Sequence, residues 1–143
     1  MQKAVTERRA KACATVHIGS QALDLVRKNQ IKKGDVLSTA QLAGIMGAKA
    51  TSSLIPLCHS VMISKADVQL QLEPDRCCVR VESDVSTSGQ TGVEMEALTA
   101  ASVAALTVYD MCKAVSRDAV ITDVHLLHKS GGKSGRFDWT PQT

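Results

Sequence analysis

Residues 91–116 read TGVEMEALTAASVAALTVYDMCKAVS, and from position 97 to 108 they carry no charge and almost nothing but small or apolar side chains. A stretch this long with no polar face must be buried over most of its circumference, so the remaining chain has to wrap around it. Thr91-Gly92-Val93-Glu94 spells a capping box, which predicts a helix from about residue 92 to 116. Charge returns only at its two tips, with Glu94 and Glu96 at the start and Asp110 and Lys113 near the finish. Glu96 and Asp110 face nearly the same way but stand roughly 21 Å apart along the axis. One small-molecule pocket in a single chain can hardly use both. If both serve one reaction, the pocket is assembled from two subunits.

The material available for wrapping the helix is unusual. Tyr109, Phe137 and Trp139 are the only aromatic residues, and two of them lie close to the end of the sequence. A core of Ala, Val, Leu, Ile and Met brings backbones close but buries little area per residue, so oligomerisation is expected to supply further burial. Residues 61–72 alternate, with Ala66, Val68, Leu70 and Leu72 opposing Asp67, Gln69 and Gln71. Residues 77–85 repeat the pattern, and EPDR joins the two into an antiparallel hairpin with one wet face. Residues 11–18 and 119–128 suit two further strands. Gly19-Ser20 opens a helix over roughly 21–29, and Ser38 or Thr39 caps another that ends before Pro56. Gly44 and Gly47 each cost about 1 kcal/mol against Ala inside that helix, which suggests close packing on a neighbour. Residues 86–92 read as a loop, residues 1–10 as a charged arm, and residues 129–143 as a basic loop and tail. The order fits one α+β domain over residues 1–143, a ferredoxin-like four-stranded antiparallel sheet with helices packed on one face.

A net charge of +3 fits an anionic small molecule better than a nucleic-acid backbone. Five scattered cysteines without a C-x-x-C argue against a disulfide framework and against a zinc site, and point to reduced thiols. No run approaches the roughly 20 apolar residues that cross a membrane, and no charged-then-apolar leader is visible. A cytoplasmic location is expected, or the mitochondrial matrix in a eukaryote.

Three stretches carry candidate chemistry. HKSGGKSGR, residues 128–136, resembles the end of a Walker loop, but position 127 is Leu where that loop needs Gly, and no helix follows. Successive glycine amides with Lys129, Lys133 and Arg136 would still suit an anion, and a mobile basic tail is the alternative. In IPLCHS, Pro56 stops a helix and leaves Cys58 and His59 at an element junction, where an imidazole can hold a ligand or serve only as a structural hydrogen-bonder. Asp110 and Lys113 are spaced as an i,i+3 pair after a buried run, where desolvation would draw their pKa values toward neutrality.

GVEMEALTAASVAALTVYDMCKAV, LIPLCH, KKGDV and KSGGKSG, at these spacings, resemble the cyclic pyranopterin monophosphate synthase family, the molybdenum cofactor biosynthesis protein C, over about residues 6–137. The resemblance implies a ferredoxin-like homohexamer, a trimer of dimers with its active site at a subunit interface. It implies a lyase that converts 3′,8-cyclo-7,8-dihydroguanosine 5′-triphosphate into cyclic pyranopterin monophosphate and pyrophosphate. No cofactor is required on this reading, magnesium with the phosphates being the one addition left open. Nucleic acid and membrane are not expected partners. The family's functional positions fall on Lys33, Leu57, Cys58, His59, Glu94, Met95, Glu96, Asp110, Lys113 and Lys129. Asp110 and Lys113 are then the acid/base pair, Lys33 and Lys129 with Lys133 face phosphate or leaving oxygens, His59 with the backbone of residues 57–59 positions substrate, and Glu96 holds the guanine-derived ring. Ser60 stands where a proline is common, Ala50 and Ser53 where a basic and an acidic residue are, and no M-V-D-V stretch precedes the arm. None of these touches the proton-transfer groups, so activity is expected to survive.

Two rivals keep the fold. An RNA-binding sheet would stack bases on strand aromatics, which the expected strands lack. A nucleotide sensor would need the phosphate clamp without the Asp110–Lys113 pair.

Overall fold

A computed structural model describes residues 6–142. Strand β1 (Thr6–His17) leads into helix α1 (Gly19–Arg27), helix α2 (Val36–Lys49) and the single turn α3 (Thr51–Leu54). Strands β2 (Ile63–Glu73) and β3 (Cys78–Gly89) form the expected hairpin, closed by a 3-10 turn at Pro74–Arg76. Helix α4 (Glu94–Cys112) and strands β4 (Val120–Ser130) and β5 (Phe137–Asp138) complete the chain. The sheet is antiparallel throughout, in the order β2-β3-β1-β4-β5, with β1 central and the helices on one face.

The expected four strands are therefore five. A two-residue strand has no periodicity to read; β5 exists because the outer edge of β4 offers unpaired backbone groups to the returning chain. His128 and Lys129 take up that pairing with Asp138 and Phe137, and the Trp139 amide extends it by donating to the Leu127 carbonyl at 2.9 Å. The Trp139 ring then lies over His125, centroids 4.2 Å apart. So residues 137–139 of the expected tail are joined to the sheet.

Two other boundaries move for the same reason. Residues 6–10, read as arm, are the first rungs of β1 paired with β3, while positions 1–5 lie outside the described residues. Residues 86–89, read as loop, are the last rungs of β3. Polar side chains at strand ends keep their ladder bonds, and Ser86 and Thr87 are even buried, so composition alone misplaces them.

Alternation along β1 puts Ala10, Ala12, Ala14 and Val16 under the helices, all fully buried with Val79, Val81 and Val85 of β3. Among the described residues Ile18 is the largest wholly buried side chain, so the core is as thin as the composition implies. The helix layer compensates by close approach. A Cβ on Gly44 would meet the Ala100 carbonyl oxygen at 2.9 Å, and one on Gly47 the Val103 Cβ at 2.9 Å. Helix α2 starts earlier than expected, because the cap is Asp35 rather than Ser38 or Thr39. Its carboxylate accepts from the Ser38 amide at 3.1 Å and the Ser38 hydroxyl at 3.0 Å. All five cysteines are unpaired thiols, and no helix among the described residues is long and apolar enough to cross a membrane.

Candidate active site

Helix α4 organises everything chemical, and it does so at both ends. At its start the expected capping box does not form: the cap position is Val93, without a side-chain bond. Glu94 instead turns back over Gly92, where any Cβ would collide with its carboxylate, and pairs with Lys129 of β4 at 3.4 Å. Glu94 and Glu96 in the first turn also suit the positive end of the helix dipole.

A cavity of about 330 Å³ opens beside this turn. One wall is the segment after α3, with Ile55, Leu57, Cys58 and His59; the other is Thr91 and Gly92 followed by Glu94, Met95 and Glu96. After α3 the chain makes a turn at Pro56–Leu57, closed by the Cys58 amide donating to the Ile55 carbonyl at 3.2 Å, which sets the PLCH stretch beside the start of α4. His59 and Leu57 are exposed, Leu57 to 95 %. Glu96 lies at the bottom, only 3 % exposed. Burial pushes its carboxyl above the ordinary range, partly opposed by its own backbone N–H and by the Cys58 thiol. That thiol donates to Glu96 Oε2 at 3.8 Å, and its own pKa is raised by burial and by the neighbouring carboxylate. Cys58 is thus a protonated donor, not a nucleophilic thiolate.

A raised carboxyl favours folding most below its ordinary pKa and penalises it as pH climbs through the folded value. Glu96→Gln should therefore raise the melting temperature at neutral pH. That gain should vanish below about pH 4, where the wild-type carboxyl is protonated in both states. Melting curves at the two pH values check this; a destabilised variant at pH 7 would contradict it.

At the far end of α4 stands a different group. Asp110 shares its carboxylate between two lysines: Lys113 Nζ sits 2.9 Å from Oδ1 and Lys33 Nζ 3.1 Å from Oδ2. Lys33 reaches it from the turn before α2, where Gly34 at φ +118° lets KKGDV reverse and Asp35 then starts the helix. The expected desolvated pair is corrected here. All three side chains are at least half exposed, because Asp110 and Lys113 lie on the solvent side of α4 while Val108, Met111 and Cys112 keep its other side in the core. Hydrogen bonds from the two ammonium groups hold the Asp110 carboxyl below its usual value, and the Asp110 bond holds Lys113 above its own. Asp110 and Lys113 thus rest as an ion pair.

The candidate residues thus separate. Leu57, Cys58, His59, Glu94, Met95 and Glu96 share one cavity with Lys129 at its side. Asp110, Lys113 and Lys33 form the second group, about 21 Å away by helix rise. Lys133 is exposed in the turn after β4. Thr91 and Gly92 line the cavity unforeseen, as does Ile55. So does a basic neighbour go unforeseen: Arg8 of β1, whose Nε donates to the Gly89 carbonyl at 3.0 Å. Its signal lay in the alternation, since Arg8 shares parity with Ala10 and Ala12.

A model of the MoaC family matches residues 1–132 of the chain. The chain belongs to the MoaC family. This is an enzyme family of molybdenum cofactor biosynthesis, so the two charged ends of α4 are to be read as parts of an enzyme acting in that biosynthesis. The match spans every element from β1 to β4 and both residue groups. It stops before β5.

Proposed function

We propose that this member of the MoaC family is a cyclic pyranopterin monophosphate synthase, a lyase that converts 3′,8-cyclo-7,8-dihydroguanosine 5′-triphosphate to cyclic pyranopterin monophosphate with release of pyrophosphate. One observation carries the reading: a cavity with a buried carboxylate and an exposed acid–lysine triad sit at opposite tips of one helix. Neither half alone offers both a recess for a ring system and groups that exchange protons. Two copies, each presenting one tip, make a complete site.

The chemistry asked of such a site is ring opening, ring closure and loss of pyrophosphate as a cyclic phosphate forms. It needs proton transfers and a positive clamp, not hydride transfer. Glu96 at the cavity floor accepts from the amino and ring N–H donors of the guanine-derived base. His59, with the backbone of residues 57–59, holds the substrate across the cavity mouth, with Glu94 and Met95 as the opposite wall. In the resting triad Lys113 is protonated and Asp110 ionised, so the first can deliver a proton and the second take one. Covering the triad with a partner subunit and substrate desolvates both and brings their pKa values together. Lys33 and Lys129, with Lys133, neutralise the triphosphate, Lys129 exchanging Glu94 for phosphate. No cofactor is required, with magnesium an optional companion of the phosphates.

The assembly we infer is a homohexamer, a trimer of dimers, in the cytoplasm or a mitochondrial matrix. Support for self-association comes from apolar groups left in solvent: Leu42 and Met46 of α2 and Leu106 of α4 are each more than half exposed. Such a run on a helix layer above a thin core is a surface for another copy. The order β2-β3-β1-β4 supports the ferredoxin-like description of the first four strands.

Incubating the purified chain with the cyclic triphosphate and assaying pyrophosphate tests the reaction. One pyrophosphate per substrate consumed is expected. Binding without release would instead describe a nucleotide sensor.

A further inference from the structure

We propose that Arg8 is a positioning residue that braces the Gly131–Gly132 turn, and through it Lys133, for the phosphate end of the substrate. The inference rests on the function proposed above, in which Lys133 meets phosphate.

Arg8 lies near the start of β1 on the helix side of the sheet, half-buried, and its Nε–H donates to the Gly89 carbonyl at 3.0 Å. The guanidinium is therefore tied to the end of β3, just ahead of the Thr91–Gly92 wall of the cavity. Its other side meets the turn after β4. Gly132 sits at φ +79°, and a Cβ there would run into the guanidinium, 3.0 Å from Cζ and closer still to Nη1. Gly131, at φ +89°, lies against the Glu7 carbonyl, with a Cβ position 3.1 Å from Arg8 Cα. Gly135 N–H closes the turn on the Gly132 carbonyl at 3.4 Å. The bare Cα atoms of Gly131 and Gly132 thus have a reason beyond flexibility: they let the backbone approach Arg8. Among the described residues no carboxylate pairs with Arg8, so its structural partners are the end of β3 and the turn after β4.

A flat guanidinium can donate at one edge and carry a backbone at another, which a lysine ammonium cannot. Arg8 consequently sets where the turn sits, and the turn sets where Lys133 reaches.

The test uses the full chain and inorganic pyrophosphate as the probe, with affinity read by calorimetry. Arg8→Ala should weaken binding about tenfold, the scale of one misplaced charge-assisted contact. Arg8→Lys should weaken it equally, and Arg8→Ala combined with Lys133→Ala should bind no more weakly than Lys133→Ala alone, because both changes act through one contact. Wild-type affinity in Arg8→Lys, or additive losses in the double variant, would make Arg8 a direct charge on the anion and overturn the brace. Hydrogen exchange reads the brace without any ligand. Amides of residues 131–135 should exchange faster in Arg8→Ala and in Gly132→Ala, which displaces the guanidinium while keeping it; unchanged exchange in both sinks the proposal. Should the wild type bind no pyrophosphate, the functional reading fails while the exchange result still decides the brace.

Discussion

Lys113→Ala is expected to lower kcat by about a thousandfold, the range of a lost general acid or base, while KM changes little. Asp110→Asn should fall in the same range. The side chains of both residues are more than half exposed and neither packs in the core, so circular dichroism and melting should match the wild type. The asymmetry matters: a catalytic loss without a stability loss separates a proton-transfer role from a structural ion pair, and surface pairs of this exposure contribute little to folding. Asp110→Asn also leaves the Lys33 and Lys113 ammonium groups side by side without their shared carboxylate, which removes what now holds the Lys113 pKa up. Steady-state kinetics with the cyclic triphosphate decide it. Wild-type turnover in either variant would remove the acid/base assignment.

The second large effect falls on folding. Gly44→Val should destabilise the chain by about 3 kcal/mol, the upper end for overpacking a tight contact. Over a chain of this size that is a fall of roughly 10 °C in Tm. Even the first atom of a side chain at Gly44 meets the Ala100 carbonyl at 2.9 Å, Val68 Cγ2 at 3.1 Å and Ala104 Cβ at 3.2 Å. The carbonyl belongs to the backbone of α4 and cannot swing aside. Gly44→Ala is the sharper comparison, because helix propensity alone would stabilise it by about 1 kcal/mol. A net loss in Gly44→Ala shows that close approach of α2 to α4 outweighs propensity; a gain, measured by thermal melting, would show that the interface has slack.

The same two features mark how far the sequence could be read. The uncharged run of α4 dictates a buried helix, and Gly44 and Gly47 inside an otherwise helical segment dictate a close neighbour; both hold. The hairpin was legible because Ala66, Val68 and Leu70 alternate with polar residues. What escaped was set by tertiary pairing. Thr6 to Arg9 look like a charged arm until β3 and β4 are there to pair with them, and Phe137–Asp138 is a strand only because the edge of β4 is open. The capping box at Thr91 was a local signal overridden by Lys129, which draws Glu94 across to β4. In the candidate site, the spacing of the charged residues along α4 was legible and their environment was not. Buried Glu96 and exposed Asp110 sit on one helix, but only the packing of α2 and the sheet around α4 decides which side of each tip the core covers.

On the proposed function, one catalytic site draws on opposite ends of α4 from two copies. Co-expressing differently tagged His59→Ala and Lys113→Ala chains, each inactive alone, and purifying the mixed oligomers tests it most directly. If the halves come from different subunits, random pairing leaves about one quarter of sites with both halves intact, and activity should return to that level. Mixed oligomers as inactive as either parent would rule out a site shared between subunits.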